Sequence, residues 1–98
     1  KMAWENMTLN EQLSEVAGDV KRAVDSKENF RNNKATRDYS FFYFNKAYNL
    51  VLKLQLGDKE YRRREFIDEI YELRDYLWEN RHDAQYILRY WQQFERAI

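Results

Sequence analysis

No proline interrupts this chain, and glycine occurs only at positions 18 and 57. Strand-and-turn folds and phosphate-cradling loops draw far more heavily on both residues, which set or free the backbone where the chain must turn. So few breakers point to packed helices and predict an all-α fold. With 98 residues there is material for one domain, residues 1–98, of three or four helices in a small four-helix bundle.

The helices announce themselves by period. Thr8 and Glu11 stand at capping-box spacing, and Leu9, Leu13, Val16, Val20 and Val24 follow at helical steps, predicting a first helix over 9–24. Gly18 lies on its opposite face and marks either a close neighbour or a helix irregularity. Residues 25–36, DSKENFRNNKAT, read as a long polar connection, or as a helix running on to Phe30 before a shorter loop at 31–35. Thr36 suits the cap of a second helix over 37–56, with Asp38 in its first turn. Gly57 fits the left-handed residue after that helix, and Asp58 fits the cap of a third over 59–79. Phe66, Ile70, Leu73 and Leu77 form its stripe, with Ile67, Tyr71 and Trp78 beside it. After a break at 80–83, a fourth helix over 84–97 carries Ala84, Ile87, Leu88, Trp91, Phe94 and Ile98 on one face.

The second helix departs from the ordinary pattern. Its stretch YSFFYFNKAY holds six aromatic side chains in ten positions. At about 100° per residue, Tyr39, Phe42, Tyr43, Ala47, Leu50 and Leu54 share one face and Phe41, Phe44, Tyr48, Val51 and Leu52 the opposite one. Asn45, Lys46, Asn49 and Lys53 form the polar stripe between them. A surface helix normally hides one stripe and solvates the rest. The two-faced helix is therefore expected to be the central helix of the bundle, or to keep one face for a partner. Tyr39, Phe42 and Tyr43 are assigned to the core, and Phe41, Phe44, Tyr48 and Val51 to a protein interface, because aromatic side chains dominate interface centres.

Charge is balanced overall but not along the chain. Residues 27–64 hold ten basic and four acidic residues, while the flanking segments are net acidic. Arg31, Lys34, Arg37, Arg62, Arg63 and Arg64, next to an aromatic helix, supply an alternative: a basic strip with stacking platforms that grips single-stranded RNA or DNA by its backbone. A neutral chain is an unusual setting for it.

Catalytic chemistry finds little footing. There is no cysteine and one histidine, His82. Glu79 and His82 make a single Glu-x-x-His, whereas carboxylate di-metal bundles need a second pair and further core-facing glutamates. Arg74 and His82 are separated by seven residues, longer than the four to six of HEPN-type helical RNases. No Ser–His or acid–base couple has a spacing that forces proximity. The expectation is a non-enzymatic chain without cofactor, metal or small-molecule substrate. The helix order and the stretch FIDEIYELRDYLWENR resemble, in general form, small helical subunits of type III CRISPR effector complexes. That likeness implies a subunit meeting both protein and RNA backbone. No apolar run nears the roughly 20 residues of a membrane span, and KMAWENM lacks a signal-peptide core, so a soluble cytoplasmic chain is expected. The sequence reading is thus a protein-interaction module: an oligomeric or assembly subunit, or a regulatory or inhibitory protein.

Overall fold

A computed structural model describes residues 2–79, 81 and 83–95. Four helices carry the fold: α1 (Leu9–Arg31), α2 (Ser40–Leu52), α3 (Arg63–Glu79) and α4 (Ala84–Glu95). Short 3₁₀ segments at Trp4–Asn6 and Gly57–Arg62 precede α1 and α3. The all-helical expectation holds, and the described residues contain no strand.

At the start of α1 the capping box forms in full. Thr8 Oγ1 accepts from the Glu11 amide at 3.1 Å, and Glu11 Oε1 accepts from the Thr8 amide at 2.8 Å. The helix then runs to Arg31, past residue 24 and one residue past the longer limit set at Phe30. It stops in a Schellman arrangement: the Lys34 amide reaches Asn29 O at 2.8 Å and the Asn33 amide reaches Phe30 O at 3.2 Å. Asn33 takes the left-handed conformation, φ 59°, that this closure requires.

Both ends of α2 differ from expectation. It begins at Ser40 instead of 37, because Asp38 is drawn out of helical geometry to meet Lys27, which α1 buries. The other Asp38 oxygen takes the Ser40 amide at 2.9 Å, and Ser26 Oγ takes the Tyr39 amide at 3.0 Å. The N-cap position is Tyr39, not Thr36, and it makes no side-chain cap; Asp38, one residue before it, holds the Ser40 amide instead. The helix stops at Leu52 instead of 56, since Leu54 and Leu56 are both buried. Two apolar residues two apart reach one side only from non-helical chain, which leaves Lys53 and Gln55 exposed. Gly57 does adopt φ +57°, but it opens the 3₁₀ segment, and α3 starts at Arg63 instead of 59.

The central helix is α1, not α2. Ten of the 23 residues of α1 are buried against three of 13 in α2, and α1 packs on each of the other helices. The apolar stripes of α1, α3 and α4 meet as expected: Leu13, Val16, Val20 and Val24 join Phe66, Ile70, Leu73 and Leu77 and Ala84, Ile87, Trp91 and Phe94 in one core. Ile98 lies outside the described residues. A buried amide, Gln12, ties the N-terminal segment to the α2–α3 link. It donates to Trp4 O and Gln55 Oε1, each at 2.8 Å, and accepts from the Gln55 amide at 3.0 Å.

Candidate interaction surface

The seam by which α2 meets the core falls between the two aromatic faces. It consists of Ser40, Ala47 and Val51, residues small enough to let α2 lie close on α1. The rings are too large for that seam and line its flanks. Val51, assigned to an interface by sequence, is fully buried in the core and offers nothing to a partner. Tyr39 and Phe42, assigned to the core, are 52% and 58% exposed, and Tyr43 is half-buried. Phe42 projects away from the seam, with Lys46 Nζ 5.6 Å from its ring centre.

Phe41, Phe44 and Tyr48 turn toward α3, half-buried, and there they meet rings the sequence reading had left beside the α3 stripe. Phe41 packs edge-on to Trp78 (centroids 5.7 Å apart) and to Phe44 (6.1 Å). Phe44 stacks on Tyr48 and Tyr48 on Tyr71, both at 6.2 Å. The Arg74 guanidinium lies 4.6 Å from the Tyr71 ring centre. Residues 41, 44 and 48 on α2 and 71, 74 and 78 on α3 have the same i, i+3, i+7 spacing, so two antiparallel helices present one continuous ladder. A groove of about 380 Å³ runs between them, lined by Phe41, Phe44, Arg74, Asp75, Trp78 and Glu79. Trp78 stands on its rim, 75% exposed. Its register with Tyr71 was readable in the sequence; its pairing with α2 was not.

The six basic residues of the nucleic-acid reading do not form one strip. Arg31 lies at the α3 C-terminus, where it donates to Tyr76 O at 3.1 Å and Leu77 O at 3.4 Å and covers the Tyr76 ring. Arg63 grips the end of α2, donating to Val51 O and Leu54 O at 2.7 Å each while pairing with Glu60. Arg62 pairs with Glu65 at 3.2 Å and covers Phe66. Arg64 is exposed, 3.5 Å from Asp68, and Lys34 and Arg37 are exposed in the α1–α2 connection. Arg31, Lys34 and Arg37 gather near one end of α2 and Arg62–Arg64 near the other, roughly 20 Å apart along a 13-residue helix. Arg31 and Arg63 are occupied in closing helix ends, the opposite of a phosphate-facing role.

Ionisation is perturbed at a few places. Burial is the first influence on Asp38, raising its carboxyl, but hydrogen bonds from Lys27 and Ser40 outweigh it and hold the group below its ordinary value. Burial pushes Asp19 up despite Arg22, whose guanidinium is 2.8 Å away, and Lys46. Burial and the neighbouring Glu72 carboxyl push Glu69 up to about 7. Among the described residues no group of three or more metal-ligating side chains could hold an ion. His82, with the Glu79 and Arg74 pairings that invoke it, lies outside the described residues. No helix among them is long and apolar enough to cross a membrane. Compared with known proteins, the chain matches no family model, no curated protein and no solved structure.

Proposed function

We propose that this chain is a non-enzymatic protein-interaction module, a cytoplasmic assembly or regulatory subunit that seats a protein partner on the α2/α3 aromatic groove. The observation that supports it is Trp78, three-quarters exposed yet fixed edge-on against Phe41 at the head of a five-ring ladder. Trp and Tyr are the side chains that anchor interface centres, because they cover large apolar area with few torsions to freeze. The ladder is held by α2 and α3 packing, so little ordering remains to be done on binding.

The test is the solution mass by light scattering at two protein concentrations, on the wild type and on a Phe44→Ser/Trp78→Ser double variant. Concentration-dependent association in the wild type, lost in a variant that keeps its helical circular dichroism, is the expected result. A wild type that stays monomeric while the variant unfolds would show the ladder to be fold, not interface. Binding of single-stranded RNA at low salt serves as the contrasting measurement. Given the engagement of Arg31 and Arg63, it is expected to be absent.

A further inference from the structure

On the flank of α2 away from the aromatic groove, α1, α2 and the N-terminal segment enclose a cavity of about 260 Å³. Pockets for drug-sized ligands begin at roughly 300 Å³, so this one has the size for a small metabolite. Its roof is fixed: the Trp4 indole donates to Lys53 O at 3.0 Å, and Trp4 O accepts from the Gln12 side-chain amide at 2.8 Å. From α1 come Glu15, Asp19 and Arg22, at i, i+4 and i+7 on one face, and from α2 come Lys46 and Leu50, one turn apart. Asp19 is the unusual member. It is 4% exposed, yet of its two carboxylate oxygens only Oδ1 has a donor among the described residues, Arg22 Nη1 at 2.8 Å. Burial outweighs the attraction of Arg22 and Lys46, and Glu15 adds repulsion, so this carboxylate is left short of positive charge.

Lys46 lies against the Phe42 ring and forms no ion pair among the described residues. Two carboxylates and two cations thus line one small cavity whose remaining wall, Trp4, Met7 and Leu50, is largely apolar. A ligand of single charge would sit beside a like charge, whereas a ligand carrying both signs meets a partner for each. We propose that this cavity binds a free α-amino acid with an apolar side chain. Its ammonium meets Asp19 and Glu15, its carboxylate meets Lys46 and Arg22, and its side chain lies against Trp4, Met7 and Leu50. The Arg22 fork has N–H donors beyond the one engaged on Asp19. The cavity shares no lining residue with the groove, so partner binding there and ligand binding here are separate properties.

The test is a titration followed by proton–nitrogen NMR at the Trp4 indole and the Lys46 amide, with L-leucine, N-acetyl-leucine and leucinamide as probes. Saturable shifts with L-leucine, at a Kd of about 1 mM or tighter, are the expected result. Each blocked probe should bind about tenfold more weakly, for the loss of one charged contact. No saturable shift with L-leucine, L-methionine or L-phenylalanine up to about 10 mM overturns the proposal. Equal binding of L-leucine and both blocked probes overturns it too, since that marks an apolar cleft only. Lys46→Gln, a change at an exposed residue, is expected to weaken L-leucine about tenfold and to erase its preference over leucinamide. An unchanged preference overturns the placement of the carboxylate. Asp19→Asn should weaken L-leucine and leucinamide alike, and unweakened binding there overturns the ammonium contact. Should that variant fail to fold, the probe series and Lys46→Gln decide.

Discussion

Arg63 shows how one side chain can be misjudged from its charge. It follows Arg62 and precedes Arg64, and a run of three arginines invites an anionic partner. Its fork instead takes the Val51 carbonyl in the last turn of α2 and the Leu54 carbonyl just beyond it, where Leu54 and Leu56 pull the chain out of helix. Charged hydrogen bonds of this kind contribute about 1.5–3 kcal/mol each, so Arg63→Ala, which removes two of them, is expected to cost about 3 kcal/mol in denaturant titration. Arg63→Lys should recover less than half, since an ammonium cannot fork to two carbonyls. Gly57 is constrained by backbone alone: at φ +57° nothing lies within 4 Å of where a Cβ would be. Gly57→Ala should therefore cost about 1 kcal/mol, all of it conformational. Gly18 is the opposite case. A Cβ there would meet only the Arg22 guanidinium, at 3.2 Å, the flexible end of an exposed side chain. Helix propensity favours alanine by about 1 kcal/mol, and thermal unfolding of Gly18→Ala should show a net gain once Arg22 has moved aside.

At the scale of the element, α1 and α2 fold by different logics. The start of α1 is written locally, and Thr8→Ala should cost about 1 kcal/mol by removing the side-chain half of its cap. The start of α2 is written by contact with α1. Lys27, 8% exposed, needs a counter-charge, and Asp38 supplies it together with the acceptor for the Ser40 amide. Asp38→Asn leaves that ammonium without its anion and should cost about 2–3 kcal/mol, read as a lower urea midpoint at unchanged slope. A variant at wild-type stability would mean that the connection is not pinned in this way. Helix stripes of α1, α3 and α4 were legible because each has one apolar face. The seam of α2 was not, because apolar residues surround most of its axis and period alone cannot choose among them.

For the whole molecule, carboxyls shifted in opposite directions shape the two limbs of the stability curve, Asp38 and Glu65 being lowered and Glu69 and Asp19 raised. Asp38 has a folded value below its unfolded one; its contribution is present above about pH 4 and is lost as pH falls through the lower folded value. Glu69 is raised, so the folded state binds its proton more tightly than the unfolded chain. Stability from it is present below the unfolded value and is lost as pH rises toward about 7. Glu69 is partly solvated, and screening trims its effect to on the order of 1 kcal/mol. Calorimetry from pH 3 to 9 should give a maximum transition temperature near pH 5, and about 5 °C less at pH 8. A flat curve above pH 5 would contradict this reading of Glu69.

By itself the sequence determined the helical class, the capping box at Thr8, the apolar stripes of three helices and the shared faces of Phe41, Phe44 and Tyr48 on one helix and of Tyr71 and Trp78 on another. Those follow from the fixed pitch of a helix and from side chains acting on neighbours a few residues away. Tertiary structure alone decided that α1 is central, that Ala47 and Val51 rather than the rings make the α2 seam, and that Arg31 and Arg63 close helix ends. It also joined the row of Phe41, Phe44 and Tyr48 to that of Tyr71 and Trp78. Each of those outcomes depends on groups distant in the chain competing for one volume or one carbonyl, and no local pattern records which of them wins.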